Sequence, residues 1–341
     1  MKLIILGPIT TDIYFGGVAI FDEELAKAFY EKKWNVVILT EQTNAPSSVE
    51  SIPVFKVNLF SAKMIFKREK PDMVIASLAY GKYLCFLNND VKKIYFLHGY
   101  FSQKYYGKIK SEIAAIYQKM LIKNSDYVFA NSYFTKIINR TFWNIRVNDV
   151  IHLGVSKAFY QKIIESKICK KKNSILFSGR LVASKGTIKL LEALKLLKER
   201  NIFFSACIAG DGPELSEIQE FISVNGLNVY LPGRVEHNKL AALYAESEIF
   251  VSLNPSEPYG IVFPEALLAQ CKIVCPYTGG QIEYLYSYAS RVQFVDEESP
   301  ESIANGIHYL LKQGCLPPLD NDDGLKYTYD TVADRILKFV R

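Results

Sequence analysis

The sequence has no apolar stretch that approaches the roughly 20 residues of a membrane-spanning helix. Its apolar runs, such as Leu3–Leu6 and Val36–Leu39, are far shorter. The N-terminus carries one lysine and a short apolar run before Gly7-Pro8, which indicates a buried strand rather than a signal peptide. These features argue against a membrane-spanning or secreted protein.

Cysteine is also scarce. The six cysteines among 341 residues do not suggest a disulfide framework, and most of them lie in apolar segments. Cys271 and Cys275 have no further Cys or His pair that would complete a metal site. We therefore expect reduced, buried thiols in a cytoplasmic protein.

The chain nevertheless contains enough apolar sequence to form large cores. Hydrophobic residues make up 49% and charged residues 22%, which excludes a disordered protein. A length of 341 residues fits about two α/β domains.

Positive charge is concentrated in the first half of the chain. Residues 1–155 carry 20 Lys or Arg against 13 Asp or Glu, which leaves 21 against 22 for the remainder. One stretch interleaves lysines with aromatic residues: Phe101, Lys104, Tyr105, Tyr106, Lys108, Lys110, Tyr117, Lys119 and Lys123. Such a patch either attracts anions, such as acidic lipid headgroups or a phosphorylated substrate, or is a solvated helix face. No nucleic-acid-binding motif accompanies it, so nucleic acid is the least favoured partner.

An alternation of strands and helices occurs twice along the chain. In the first half the predicted strands are Lys2–Leu6, Val36–Thr40, Asp72–Ala76, Lys93–Leu97, Asp126–Ala130 and Asp149–His152. A polar, lysine-rich stretch at Ser156–Lys172 is predicted to be a linker, and the alternation restarts with a strand at Ser174–Ser178. Strands that are apolar on both faces and alternate with helices predict a parallel, doubly wound sheet in each half.

We therefore predict an α/β protein with an N-terminal domain at residues 1–160, a C-terminal domain at residues 161–324 and a last amphipathic helix at residues 325–341. Two doubly wound domains that face each other leave a central cleft at the carboxyl ends of their strands. Helix N-termini point into such a cleft, so it is the expected ligand site.

Two cations follow the first strand of the second half. Gly179-Arg180 leaves the strand, and Lys185-Gly186 follows across a turn. Arginine as a planar fork and lysine as a point charge suit a diphosphate, whereas ordinary surface cations are the alternative interpretation. Their position beside glycines at a strand end favours the diphosphate.

The strongest motif contains two glutamates, Glu257 and Glu265, separated by seven residues. Pro258 and Gly260 prevent a helix through the first glutamate, and Pro264 is tolerated only in the first turn of a helix. Glu257 is therefore predicted in a loop after a strand, and Glu265 in the first turn of the next helix. Helix capping alone explains Glu265 but not the pair.

Backbone groups between the two glutamates are also candidates for binding. The residues whose N–H groups could bind phosphate oxygens are Gly260, Ile261 and Val262. A carboxylate just past them can accept hydrogen bonds from a vicinal diol such as ribose, and the other carboxylate can bind sugar hydroxyls. The glycine turn at Thr278-Gly279-Gly280 follows the next strand and is expected beside this loop.

Two features of the first half lie at helix or strand ends. Gly16 and Gly17 open the first helix, where glycine lets the backbone approach a phosphate, although a flexible turn explains them equally well. His98 ends a strand and precedes Gly99. A lone histidine is usually structural, but this position favours a role in the cleft.

The order of these segments resembles the retaining glycosyltransferases of family four, which have the GT-B fold. The resemblance spans most of the chain and is carried by Gly16-Gly17-Val18, His98-Gly99, Ser178-Gly179-Arg180, Lys185-Gly186, Gly210-Asp211-Gly212-Pro213, Gly233-Arg234-Val235 and the run from Glu257 to Glu265. It implies two Rossmann-like domains and a C-terminal helix that packs on the first. It also implies sugar transfer from a nucleotide donor to an acceptor hydroxyl with the anomeric configuration retained.

The resemblance further implies roles for individual residues. Glu265 would bind the ribose hydroxyls, and Glu257 would contact the donor sugar. Arg180 and Lys185 would neutralise the diphosphate. The remaining implied donor contacts are His98 near the sugar, Gly16, Gly17, Gly179, Gly260, Ile261 and Val262 near the phosphates, and Arg234 and Val235 near the base.

The implied chemistry needs no metal and no separate cofactor. Cations and helix N–H groups would stabilise the charge that develops on the departing diphosphate. No Asp-x-Asp signature occurs where a metal would be needed. In the family the attack is usually described as front-face, with a donor phosphate oxygen deprotonating the acceptor. We therefore expect a metal-independent hexosyltransferase.

The family favours a UDP-sugar as donor, with GDP-mannose next, and a saccharide or lipid-linked saccharide as acceptor in cell-surface polysaccharide synthesis. The basic first domain would then bind the acceptor or attach peripherally to the anionic inner face of the plasma membrane. Two alternatives stay open. A nucleotide-sugar epimerase is disfavoured by the presence of only four histidines, and a non-catalytic nucleotide-sugar-binding subunit by the intact candidate residues.

Overall fold

The computed structural model describes residues 1–11, 14, 16–103, 107–166, 169–314, 316–319 and 328–340. The patch residues Lys104, Tyr105 and Tyr106 lie outside these ranges, as does the predicted start of the last helix at Leu325. The chain forms two compact units, one of Met1–Gly154 with Tyr327–Arg341 and one of Val155–Lys326. None of the described helices is both long and apolar enough to cross a bilayer.

The first unit contains a sheet of eight strands. They are β1 (Lys2–Leu6), β2 (Asn35–Thr40), β3 (Ser48–Val49), β4 (Ile52–Lys56), β5 (Met73–Ser77), β6 (Lys92–Leu97), β7 (Tyr127–Ala130) and β8 (Asp149–Val150). Their spatial order is β3-β4-β2-β1-β5-β6-β7-β8, and only the short β3–β4 pair is antiparallel. The sequence-based prediction lacks β3 and β4, because Pro53 interrupts a short apolar run.

Helices cover this sheet and close its core. In chain order they are α1 (Gly17–Glu31), α2 (Ala62–Glu69), a 3₁₀ helix (Leu78–Phe86), α3 (Lys108–Ile122) and α4 (Tyr133–Trp143). Helix α1 buries Leu25, Ala28 and Phe29, as their spacing predicts. Strand residues Leu3–Leu6 are completely buried, so the sheet is covered on both faces.

The second unit contains a sheet of six strands, all parallel. They are β9 (Lys171–Ser178), β10 (Ser205–Ala209), β11 (Val229–Gly233), β12 (Ser247–Val251), β13 (Lys272–Pro276) and β14 (Val292–Val295), in the order β11-β10-β9-β12-β13-β14. The chain order reverses between β9 and β12. The two sheets confirm the predicted α/β class with two Rossmann-like domains.

Helices of the second unit alternate with these strands. They are α5 (Lys157–Glu165), α6 (Thr187–Glu199), α7 (Leu215–Asn225), α8 (His237–Glu246), α9 (Val262–Leu268), α10 (Ile282–Leu285) and α11 (Pro300–Lys312), with short 3₁₀ helices at Ala183–Lys185 and Tyr286–Arg291.

The predicted linker at Ser156–Lys172 is wrong, because most of it is regular structure. It contains α5 and the first residues of β9. Ser156 caps the helix by accepting a hydrogen bond from the Phe159 N–H at 3.1 Å. Phe159 and Ile163, four residues apart, are buried on one face that packs against α8. Frequent lysines in this segment hide the apolar spacing, and the second compact unit includes the helix, since it begins at Val155.

The C-terminal helix α12 (Tyr329–Val340) belongs to the first unit. It packs against α1, where the Tyr329 and Phe21 ring centroids lie 6.1 Å apart. Lys32 at the end of α1 forms an ion pair with Asp334 at 2.8 Å. The helix therefore extends the core of the N-terminal unit although it lies at the opposite end of the sequence.

The expectation of buried thiols holds for only some of the cysteines. Cys271 and Cys275 are buried in the second unit, whereas Cys85 and Cys169 are exposed. Cys85 lies near the end of the 3₁₀ helix, exposed although its neighbours Leu84 and Phe86 are apolar, and Cys169 lies just before β9 next to three lysines.

Candidate functional site

The candidate site of the second unit lies where two parallel strands end side by side. Strand β9 pairs directly with β12, with Ile175 opposite Ile249 and Leu176 opposite Phe250. The loops that leave their carboxyl ends therefore start at the same sheet edge, at the reversal of strand order where α/β sheets bind ligands. The first loop contains Arg180 and Lys185, and the second contains Glu257.

An ion pair joins these two loops. Lys185 Nζ lies 2.7 Å from Glu257 Oε2, and the Asn254 side-chain amide donates to the same oxygen at 2.8 Å. The pKa of Glu257 is lowered. Burial by itself would raise it, but the Lys185 ammonium, the Asn254 amide and the Arg180 charge together outweigh burial. The sequence analysis assigns Lys185 to the diphosphate and Glu257 to the sugar, and it does not predict that the two side chains pair. It also does not identify Asn254, although this residue precedes Glu257 by only three positions in the same loop.

Replacing Glu257 with glutamine is expected to remove an acid-sensitive part of the stability. Because its folded pKa lies below the ordinary value of about 4.3, ionised Glu257 stabilises the fold above that pH. The contribution is lost as the pH falls through the lowered pKa. The difference in free energy of unfolding between wild type and Glu257→Gln should therefore be constant near neutrality and shrink below about pH 4.

Chemical denaturation of both proteins across this pH range measures the difference. The matched control is Glu192→Gln, which breaks the more exposed Lys189–Glu192 pair on α6 and should change stability by at most about 1 kcal/mol. A Glu257→Gln difference that persists unchanged in acid would contradict the assignment.

Arg180 supplies the unpaired cation of this group. It follows Gly179 at the end of β9, its side chain is exposed, and it forms no side-chain hydrogen bond or ion pair with a residue that the structure describes. Its positive charge nevertheless contributes to the lowered pKa of Glu257. The site thus combines two cations with one largely buried carboxylate.

Gly260 shapes the loop that carries Glu257. Its φ of +77° is in the left-handed region, and a Cβ there would lie 2.9 Å from Glu257 Cγ and 2.6 Å from Phe263 Cδ2. Glycine therefore lets the loop fold back so that Glu257 lies beside the start of α9. The N–H groups of Ile261 and Val262 lie at that helix end, where a helix leaves its first N–H groups without intrahelical partners.

Glu265 lies in the first turn of α9, as predicted, and is only 3% exposed. His237 Nε2 lies 2.8 Å from Glu265 Oε1, and the His237 ring stacks on Phe159 at a centroid distance of 4.5 Å. The buried Tyr244 hydroxyl bonds Ser178 at 2.7 Å, and burial together with the Glu265 charge raises its pKa. Sequence reasoning missed His237 because its partner is 28 residues away.

Glycine turns from neighbouring strands meet at this edge. Gly280 N–H donates to the Glu257 carbonyl at 2.8 Å, and Thr278 Oγ1 donates to the Pro255 carbonyl at 2.9 Å, which confirms the predicted proximity of these loops. Gly210 N–H donates to the Gly233 carbonyl at 2.9 Å. A Cβ on Gly210 would lie 1.9 Å from the Gly179 carbonyl oxygen, so only glycine lets these two turns pack this closely.

The remaining candidates of the second unit follow β11. Arg234 is exposed and Val235 is half-buried, directly after Gly233 at the end of that strand. Since β11 is an edge strand, these residues lie two strands away from the β9 loop. No three His, Cys, Asp or Glu side chains among the described residues gather as metal ligands would.

The first unit holds the other predicted residues. Gly16 is the N-cap of α1 with extended backbone, and Gly17 is the first residue of the helix. His98 is half-buried after β6 and lies 3.0 Å from Ser77 Oγ at the end of β5. Burial lowers the pKa of His98 to about 3, so its imidazole is neutral at physiological pH.

Residues 160–322 match the family model described as "Glycosyl transferases group 1". Among curated proteins, the chain is similar to "Uncharacterized glycosyltransferase MJ1607" of Methanocaldococcus jannaschii, with 29% identity over 167 residues. That alignment covers 47% of this chain and 42% of the relative, so the chain spans less than half the length of the relative it matches.

Solved structures match the whole chain at lower sequence identity. Sucrose-phosphate synthase from Thermosynechococcus elongatus has a TM-score of 0.79 at 17% identity, covering 100% of this chain and 98% of that one. Anabaena HepE in complex with UDP and glucose has a TM-score of 0.77 at 19% identity, covering 100% and 99%. These similarities confirm the predicted GT-B fold.

Proposed function

We propose that the chain, whose residues 160–322 match the family model of the glycosyl transferases group 1, transfers a sugar from a nucleotide-diphosphate-sugar to a hydroxyl of a saccharide or lipid-linked saccharide. One observation carries the proposal: Arg180 and the Lys185–Glu257 pair converge at the carboxyl ends of β9 and β12, beside the N-terminus of α9. The cations and the amide N–H groups suit a diphosphate, and the carboxylates suit the hydroxyl groups of the sugar and the ribose that the diphosphate joins.

The cations favour cleavage of the bond between the sugar and the diphosphate. As the sugar leaves, negative charge develops on the diphosphate, and Arg180, Lys185 and the first N–H groups of α9 stabilise it. Lys185 is already held by Glu257 at 2.7 Å, so little side-chain reorganisation precedes the reaction. We propose transfer with retention by front-face attack, in which a phosphate oxygen takes the proton of the acceptor, without a metal.

The carboxylates bind the two ends of the donor. Glu257 accepts hydrogen bonds from hydroxyls of the transferred sugar, and Glu265 accepts them from the ribose. Glu265 is held by His237 at one oxygen, which fixes the carboxylate while leaving lone pairs for a diol. Arg234 and Val235 are the proposed contacts with the base, whereas Gly16, Gly17 and His98 stay predictions of the sequence resemblance.

A UDP-sugar is the proposed donor, with GDP-mannose second. HepE, a structural neighbour, was solved with UDP and glucose, which supports this order. A thermal-shift panel of nucleoside diphosphates and nucleotide-sugars tests it, because a ligand that binds the folded state raises the Tm. Mass spectrometry then identifies the product made from each stabilising donor and a set of saccharide acceptors, and NMR determines its anomeric configuration.

The same panel separates the alternatives. Interconversion of the nucleotide-sugar without acceptor would identify an epimerase, and binding without turnover would identify a non-catalytic subunit. Failure of every nucleotide and nucleotide-sugar to stabilise the protein would refute the proposed donor site.

Helix α3 supports attachment of the first unit to an anionic membrane. Its exposed apolar residues follow helical spacing along one face, and they are Ile109, Ile113, Ile116 and Met120. Lysines flank this face, namely Lys108, Lys110, Lys119 and Lys123. An exposed apolar stripe between cations suits the headgroup region of an anionic bilayer, where a lipid-linked acceptor would be presented from the cytoplasmic side.

Ile116→Glu is expected to lower binding to anionic vesicles at least about tenfold, because it removes apolar burial and adds repulsion. Vesicle sedimentation at low salt measures this. Ile137→Glu on α4 is the matched control, since Ile116 is 60% and Ile137 59% exposed. Equal binding of the two variants, or wild-type binding without preference for anionic lipid, would remove membrane attachment from the proposal.

A further inference from the structure

Two buried side chains connect α1 to His98. Asp22 Oδ1 on α1 lies 2.7 Å from Ser77 Oγ at the end of β5, and the same Oγ lies 3.0 Å from His98 Nε2. Asp22 and Ser77 are completely buried. The three groups form one chain of hydrogen bonds across two neighbouring strands and a helix.

Burying the Asp22 carboxyl group at this position lowers the stability of the fold. Its second oxygen, Oδ2, is enclosed and has no hydrogen-bond partner in the described structure, and burial raises its pKa well above the ordinary range. A Cβ on residue 7 would lie 1.9 Å from Oδ2, so Gly7 makes room for the carboxyl group. An apolar side chain would fill this space at lower cost, which favours a role for the carboxyl group beyond packing.

The hydrogen bonds determine the protonation of the imidazole. Ser77 has one hydroxyl proton and donates it to Asp22 Oδ1, an arrangement in which that carboxyl oxygen carries no proton of its own. Ser77 Oγ is then an acceptor toward His98. The neutral ring must therefore carry its proton on Nε2, and Nδ1 is left as an acceptor.

The surroundings keep the His98 ring in one orientation and one edge accessible. Phe21 packs edge-on against the ring at 4.7 Å, and Phe96 lies 5.2 Å away. The His98 carbonyl accepts from Asn131 Nδ2 at 3.0 Å, which fixes the backbone. The residue is half-buried, and Nδ1 has no hydrogen-bond partner among the described residues.

We propose that Asp22 and Ser77 are positioning residues that hold His98 as the Nε2–H tautomer and present Nδ1 as a hydrogen-bond acceptor to a sugar hydroxyl. The sugar contact rests on the proposed function, whereas the tautomer rests only on the hydrogen bonds. This chain of hydrogen bonds from Asp22 through Ser77 to His98, called the relay below, thus determines that the first unit binds a hydroxyl that donates its proton to Nδ1.

The tautomer can be measured without any substrate. With only four histidines in the chain, ¹⁵N-histidine labelling and two-bond ¹H–¹⁵N spectra resolve each ring, and a His98→Gln variant assigns its signals. Wild type should show His98 purely as the Nε2–H tautomer. Ser77→Ala should show a mixture of tautomers, because Nε2 loses its partner. A wild-type Nδ1–H tautomer, or identical spectra for the two proteins, overturns the relay.

Kinetics then test its role in catalysis. Ser77→Ala should lower kcat about tenfold, with the KM for the donor changed much less, since the loss concerns ring orientation and not charge. Ser77→Thr keeps the hydroxyl and should restore both the tautomer and kcat. Ser111→Ala is the control, because among the described residues this buried hydroxyl bonds the Gly107 carbonyl alone. Unchanged kcat in Ser77→Ala overturns the role. If the donor panel finds no donor, the proposed function fails, and the spectra still decide the tautomer.

Discussion

Lys185→Gln is expected to lower kcat by about 10²- to 10³-fold while the KM for the donor changes much less. This is the size of effect seen when one preorganised donor to a developing negative charge is removed from a water-poor site. Lys185 fits that description, because it is half-buried and its ammonium is held 2.7 Å from Glu257. Its charge meets the diphosphate most strongly when the sugar bond is breaking, so the loss concerns the transition state.

Steady-state kinetics with the donor found in the panel measure this loss. Lys189→Gln is the matched control, since Lys189 is also a lysine paired with a glutamate, Glu192, but on the more exposed face of α6. Lys185→Arg keeps the charge with a different shape and should fall between the two. If Lys185→Gln and Lys189→Gln have the same kcat, the diphosphate does not lie at Lys185.

Glu265→Ala is expected to weaken binding of the nucleoside diphosphate about 10- to 150-fold. Hydrogen bonds to a charged group contribute roughly 1.5–3 kcal/mol, and the ribose diol would lose this partner. Glu265 is suited to this contact because α9 and His237 hold its carboxylate in one place. Isothermal titration calorimetry with the nucleoside diphosphate alone measures the affinity without depending on the acceptor.

The control separates a specific contact from the helix dipole. Glu217 also lies in the first turn of a helix, α7, but is exposed. Glu217→Ala should leave the affinity unchanged, although it too removes an acidic group from a helix N-terminus. Glu265→Gln keeps the side-chain volume and tests whether lost packing causes the effect. Affinity in Glu265→Ala equal to that of Glu217→Ala would exclude the ribose contact.

The features that local chemistry dictates could be read from the sequence. Apolar runs predict the central strands of the first sheet, and β9 of the second, to within a few residues at each end, because strands buried on both faces must be apolar throughout. Pro264 located the start of α9, since proline is compatible only with the first turn of a helix. Glu257 and Glu265 were therefore assigned correctly to a loop and a helix before any tertiary contact was known.

The same local criteria failed where burial depends on a distant partner. Helix α5 reads as a linker, because lysines are prominent in its sequence and its two buried residues are covered by distant helices such as α8. The strand β4 was missed because Pro53 suggests a loop unless β2 is known to lie beside it. The α12 segment reads as an amphipathic helix, but its position on α1 is decided by packing between the two ends of the chain.

By itself, the sequence determined the two α/β halves, the glycine turns and the residue types that could bind a diphosphate and its sugars. Only the tertiary structure decided which of these residues touch. The Lys185–Glu257 pair spans 72 residues, and the contact between Asp22 and Ser77 spans 55. Propensity and periodicity act over a few neighbouring residues, whereas these contacts depend on strand order in the folded sheets.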